Sequence, residues 1–178
     1  ILGQNTDRKG HRESIISFCQ ELGGEQDCRL FIKTNQLSKY EISIDEQLNL
    51  YCTTNGLSKA KIYDISNTNL PFNDMIRLYH SASVVLLPSK GEGFGLNLFE
   101  AMSCGLPCIY TPYHSWEDTL LNTDANYIID CVLDSVTDMY QYGYEADSLW
   151  FKPKIYSIKN HLRKAYEDWK EDKQKYYN

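Results

Sequence analysis

Ala82-Ser83-Val84-Val85-Leu86-Leu87 is an almost uninterrupted apolar run that leads straight into Pro88-Ser89-Lys90-Gly91-Glu92-Gly93-Phe94-Gly95. A strand apolar at nearly every position must be covered on both faces, as a strand inside a parallel sheet is. The flanking segments alternate in the same sense. Arg8 to Leu22 places Ile15, Ile16, Phe18, Cys19 and Leu22 at helical spacing and stops at Gly23-Gly24. Arg29 to Lys33 predicts a strand, and Asp45 to Leu57 predicts a helix closed by Asn55-Gly56. A strand over Lys61 to Ile65 and a short helix over Phe72 to His80 follow. After the glycine turn, Leu96 to Cys104 is helical in composition, Gly105 stops it, and Pro107 to Thr111 is a further strand. Such alternation over short connections predicts an α/β domain, a doubly wound parallel sheet flanked by helices. Ligands in such sheets bind at the carboxyl ends of the strands.

The remainder is less regular. Thr111 to Leu149 offers only Tyr127-Ile128-Ile129 as a short strand, and Ile155 to Lys173 predicts a long charged helix with Ile158, Leu162, Tyr166 and Trp169 inward. No internal repeat or low-complexity linker divides the chain, so residues 1–178 read as one domain. Ile1-Leu2-Gly3 reads as the end of a strand entering a glycine turn, as in a domain cut from a longer protein.

Composition narrows the function classes. The chain has 178 residues and a net charge of -6, with 42% hydrophobic and 24% charged residues, so a core of ordinary size is expected and wholesale disorder is not. Binding nucleic acid by general electrostatics would need the opposite sign. Cys19, Cys28, Cys52, Cys104, Cys108 and Cys131 form no CxxC pair, and His11, His80, His114 and His161 are scattered, so no zinc framework is expected. The cysteines read as free thiols of a reducing cytoplasm. No stretch has the length of a membrane span.

The chemistry concentrates between Val84 and Pro112. Gly91, Gly93 and Gly95 lie between a buried strand and a helix, where glycines allow close approach of a ligand and positive φ. The free N–H groups and positive dipole end of that helix favour an anion, with phosphate the natural guest. A tight strand-to-helix turn is the plain alternative. Two carboxylates add to the pattern: Glu92 in the turn, and Glu100 in the helix among Leu98, Phe99, Ala101 and Met102. A glutamate so flanked is expected to be buried and to need a partner, the plain alternative being that Glu100 faces solvent on an amphipathic helix. Beside a phosphate, that partner would be the vicinal hydroxyls of a ribose, which a carboxylate can bind together.

The segment from Glu92 to Met102 resembles the E-x7-E signature of retaining GT-B glycosyltransferases of the group 1 (family 4) type. Pro88-Ser89 before it, Gly105-Leu106-Pro107 after it and Leu78-Tyr79-His80-Ser81-Ala82 upstream are also similar to that family, and Gly3 to Gly10 resembles its other donor-site loop. The resemblance runs in order through about residues 1 to 112. It implies a Rossmann-like domain, the C-terminal, nucleotide-sugar-binding half of a GT-B enzyme. It also implies transfer of a glycosyl group from a nucleotide-diphosphate sugar with retention of configuration. Arg8, Lys9 and Glu92 would be the catalytic residues; Gly3, Gly93, Phe94, Gly95, Leu96 and Glu100 would bind the donor. With no Asp-x-Asp pair, no metal and no cofactor beyond the donor substrate are expected.

The base would lie against Ser66 to Leu70, and UDP, GDP and ADP stay open as donors. The acceptor (sugar, lipid or protein) would come from the other domain, in a cytoplasmic enzyme with room for peripheral membrane attachment. Two other readings stand beside this one. A dinucleotide-dependent oxidoreductase would want G-x-G-x-x-G on the first βα unit, whereas the glycines here come late. A catalytically silent nucleotide-sugar module is the third. His11 is expected on the helix surface, Lys90 carries no assigned role, and Trp116, Trp150 and Trp169 read as packing anchors.

Overall fold

A computed structural model describes residues 2–4, 6–35, 43–58, 61–66, 68–112, 126–136 and 148–171. Its elements are β1 (Leu2–Gln4), α1 (His11–Glu21), β2 (Leu30–Asn35), α2 (Ile44–Thr54), β3 (Ile62–Asp64), α3 (Phe72–His80) and β4 (Val85–Leu87). They continue with α4 (Leu96–Ser103), β5 (Cys108–Tyr110), β6 (Tyr127–Ile128), β7 (Cys131–Ser135), β8 (Leu149–Pro153) and α5 (Ile155–Glu171). A 3-10 turn at Asp7–Lys9 leads into α1.

The α/β class stands, with every pairing among β1 to β6 parallel. Among the described residues the hydrogen-bonded ladder is divided into β1-β2-β3 and β4-β5-β6.

Packing nevertheless follows the doubly wound plan. In β4, Leu86 joins the core built from α1, α2 and α5, while Val85 and Leu87 join the core under α3 and α4. In β5, Ile109 turns to the first core and Cys108 and Tyr110 to the second. Period-two side chains buried on both sides are the physical meaning of the apolar run. On α5, Ile158, Leu162 and Tyr166 are buried and Trp169 packs against the same core. At the end of α1, Arg163 of α5 donates to Glu21 and to Glu25 just beyond that helix, both at 2.8 Å.

Two strands carry no signal in the sequence pattern. β7 and β8 form an antiparallel hairpin, Cys131 opposite Pro153 and Ser135 opposite Leu149. Phe151 of that hairpin donates its backbone N–H to the Lys90 carbonyl at 2.9 Å, so the hairpin is bonded to the glycine turn. Trp150 is buried, and its indole lies 3.5 Å from where a Cβ on Gly91 would stand. Trp150 is thus a packing anchor as expected; Trp116 lies outside the described residues.

Candidate donor site

The site is assembled from two loops at the carboxyl ends of β1 and β4. The Lys90 N–H donates to the Arg8 carbonyl at 2.6 Å, and an Arg8 guanidinium N–H donates to the Gly91 carbonyl. Lys90 Nζ reaches back to Asp7 Oδ2 at 2.7 Å and to Glu13 Oε1 at 3.4 Å. Lys90 is therefore the tie between the loops, a role its sequence position did not reveal.

Gly10 sets how closely they approach. Its φ is +68°, and a Cβ there would overlap the Pro88 carbonyl oxygen and stand 3.0 Å from the Pro88 carbonyl carbon. Only glycine meets both conditions without strain.

Across this junction, Lys9 Nζ donates to Glu92 Oε1, Arg8 Nη1 stands 3.4 Å from Glu92 Oε2, and Ser89 Oγ donates to Oε1 at 2.8 Å. The Glu92 side chain is 11% exposed. Burial pushes its carboxyl up, but the hydrogen bond and charge of Lys9, the Ser89 hydroxyl and Arg8 together bring it below the ordinary glutamate value. Gly3, with φ +139°, lies against the stem of Lys9; a Cβ there would stand 3.2 Å from Lys9 Cδ and Cε.

Downstream, Gly95 is the N-cap of α4 with φ 72° and ψ 48°, and no side chain caps it. The Leu98 N–H donates to the Gly95 carbonyl at 2.9 Å, and the N–H groups before it are left without a side-chain cap. Phe94 stacks on Phe99 with ring centroids 4.9 Å apart. Phe94 and Leu96 are 58% and 62% exposed, and nothing lies within 4 Å of a Cβ placed on Gly93.

Two sequence expectations need correction. Glu100 is exposed, because α4 buries Leu98 and Ala101 and turns Glu100 to the outer edge of that stripe. Its described hydrogen bond comes from Tyr79 Oη, which donates to Oε2 at 2.8 Å; it touches neither Arg8 nor Lys9 in the described contacts. His11 is the reverse case, expected on the surface and found 2% exposed. Gly10 carries the first turn of α1 onto Pro88, and His11 goes inward with it.

The burial of His11 has a pH consequence. Neither ring nitrogen has a hydrogen-bond partner among the described residues. Burial, with the charge of Lys9 adding to it, lowers the imidazole from 6.5 to about 3. The ring is neutral in the fold, while the unfolded chain takes up a proton below 6.5. Stability is therefore lost as pH falls from 6.5 toward 3. Urea unfolding should show a loss on the order of 1 kcal/mol between pH 7.5 and 5.5, flattened by His11→Leu. A wild-type stability that does not change over that interval would contradict the buried neutral ring.

At the neighbouring strand end, Ser66 Oγ accepts from Thr34 N at 3.0 Å and from Thr34 Oγ1 at 2.8 Å. This hydroxyl holds the β3 loop against β2. Asn67 of the expected base loop lies outside the described residues. A cavity of about 330 Å³ is lined by Leu2, Phe18, Leu30, Tyr79, Val84 and Leu162, and neither Glu92 nor Glu100 is among its lining residues.

Residues 67–139 match the family described as Glycosyl transferases group 1. The chain is 39% identical over 72 residues to a putative glycosyltransferase 48 of Sulfolobus islandicus filamentous virus, covering 40% of this chain and 23% of that protein. It is 35% identical over 78 residues to the serotype-specific mannosyltransferase WbdA of Escherichia coli, covering 37% of this chain and 10% of WbdA. The chain thus spans a quarter or less of these relatives.

Among solved structures it is similar to the C-terminal domain of a glycosyl transferase group 1 family protein (LpcC) from Francisella tularensis. The TM-score is 0.67 at 19% identity, over 99% of this chain and 76% of that one. Anabaena Alr3699/HepE, in complex with UDP and glucose, gives a TM-score of 0.64 at 16% identity, over 99% of this chain and 40% of HepE. These likenesses establish the fold. Among the described residues no helix is long and apolar enough to cross a membrane.

Proposed function

We propose that this chain is the donor-binding domain of a retaining glycosyltransferase, holding a nucleotide-diphosphate sugar for transfer to an acceptor presented by another domain. The observation that carries this reading is the pairing of Lys9 and Arg8 with Glu92 across the β1 and β4 loops, beside the uncapped start of α4. Departure of a glycosyl group leaves negative charge on the diphosphate, and preorganised donors in a site of restricted water receive it best. Lys9 has three N–H donors and spends one on Glu92. Its remaining donors, the Arg8 fork and the N–H groups after Gly95 would hold the diphosphate. No metal is needed in this scheme.

Glu92, kept ionised by its cations, would accept hydrogen bonds from hydroxyls of the donor sugar. Glu100 would accept them from the ribose, for which an exposed carboxylate is better placed than a buried one. Gly93, Phe94 and Leu96 would line the approach. In the transfer, the acceptor oxygen bonds to the anomeric carbon on the face the diphosphate leaves. The bond from that carbon to the phosphate oxygen breaks, and the acceptor's proton passes to a donor phosphate oxygen. That HepE was solved with UDP and glucose favours a nucleotide sugar as donor.

Calorimetric titration of this chain with UDP, GDP, ADP and NAD tests the reading. Saturable binding of one nucleoside diphosphate, with NAD much weaker, is the expected result. Preference for NAD, or no nucleoside diphosphate binding at millimolar concentration, would overturn it. The isolated chain is expected to transfer nothing, since the acceptor side is supplied elsewhere.

A further inference from the structure

We propose that Tyr79 is a positioning residue that fixes the Glu100 carboxylate for the ribose hydroxyls and so sets discrimination against 2′-deoxynucleotides. The inference rests on the ribose role proposed for Glu100. Tyr79 is the one buried residue of α3, 5% exposed, and its ring belongs to the core with Val85, Leu87, Leu98 and Ala101. Packing against these residues restricts the ring and delivers its hydroxyl to the rim of α4. There it donates to Glu100 Oε2 at 2.8 Å.

Glu100 is otherwise an exposed glutamate, a side chain with three torsions to order before it can hold two hydroxyls at once. One anchored oxygen removes most of that freedom, and Oε1 has no partner among the described residues. Burial and the Glu100 contact both raise the phenol above its ordinary value, so it remains a donor at any working pH. No charge–charge contact holds Glu100 in the described structure, in contrast to Glu92 with its two cations. The phenol is thus the anchor that lets a surface carboxylate act as a defined site.

The test compares each nucleoside diphosphate that binds with its 2′-deoxy counterpart, by calorimetry on the wild-type chain and on Tyr79→Phe, Glu100→Gln and the double variant. Wild type should prefer the ribonucleotide. Tyr79→Phe should weaken ribonucleotide binding about 3- to 10-fold and leave the 2′-deoxy ligand unchanged, so that the preference collapses. In the Glu100→Gln background the same change should add less than about 2-fold, because its effect passes through the carboxylate.

A folded Tyr79→Phe with undiminished ribose preference, while Glu100→Gln loses it, would overturn the positioning role and leave the ribose reading intact. Unchanged binding by Glu100→Gln would remove the ribose reading, and this inference with it. Equal weakening toward both ligands, or the full effect persisting in the double variant, would reduce Tyr79 to core packing. Should Tyr79→Phe fail to fold, Tyr79→Met, which keeps an apolar filler and lacks the hydroxyl, makes the same comparison.

Discussion

Replacing Gly10 with alanine is expected to destabilise the chain by about 2–4 kcal/mol, seen as a fall in Tm of about 5–15 °C. Two costs combine. An alanine at φ +68° sits in the left-handed region, worth about 1–2 kcal/mol by itself. Its Cβ would then overlap backbone atoms of Pro88, which lies between buried β4 and the glycine turn and cannot yield as a flexible side chain would. To relieve the overlap, the start of α1 must retreat from Pro88. Arg8 and Lys9 precede Gly10 directly, so they would draw away from Glu92 in the same movement. Calorimetric melting, with nucleotide titration below the transition, measures both effects. A Tm within 2 °C of wild type would show that the two loops are not seated on each other as described.

Lys9→Met should leave the fold largely in place yet lower nucleoside diphosphate affinity about 10- to 150-fold. Methionine retains an unbranched stem to lie against Gly3, and Glu92 keeps Ser89 and Arg8 as partners. What is lost is the cation that would meet the phosphates. The corresponding nucleoside, lacking phosphate, should bind the variant and the wild type alike. Equal losses for nucleoside and diphosphate, or none for either, would remove Lys9 from phosphate binding.

A pH signature accompanies the affinity change. The wild-type Glu92 carboxyl lies below its ordinary 4.5, the Lys9 hydrogen bond and charge being the foremost reasons. That pairing stabilises the fold above the ordinary value and is lost as pH falls through the lowered one. Without Lys9 the carboxyl rises and this part of the acid dependence should shrink.

How much was legible differs between fold and site. The bounds of α3 were readable from sequence to the residue, and those of α1, α2, α4 and α5 closely, because helical apolar spacing is a local property. The β7–β8 hairpin was not readable. Cys131 to Ser135 is mostly exposed, with no inward–outward alternation to signal a strand, and its partner β8 lies across a long intervening stretch. In the site, the spacing of Glu92 and Glu100 and the basic pair Arg8-Lys9 were visible, since residues close in sequence carry them. In the sequence, Ser89 and Tyr79 stand only as residues flanking the motif. Their roles depend on which carboxylate each touches, and for Tyr79 that partner is 21 residues away.

His11 and Glu100 were misread in opposite directions for one reason. Helical neighbours in the chain say which residues share a face, whereas burial depends on what another segment lays over that face. Pro88 closes over the start of α1, and nothing described closes over Glu100.

By itself, the sequence determined that strands and helices alternate, that β4 is covered on both sides, and that a glycine turn carrying a carboxylate precedes a helix. Those follow from apolar periodicity and backbone freedom, which act over a few residues. Only the tertiary structure decided that Lys9 meets Glu92, that Lys90 ties the glycine turn to Asp7, that the β8 strand bonds to that turn, and that Tyr79 reaches Glu100. Contacts of that kind join residues up to 83 positions apart, and their geometry is settled by how strands and helices pack around the two cores.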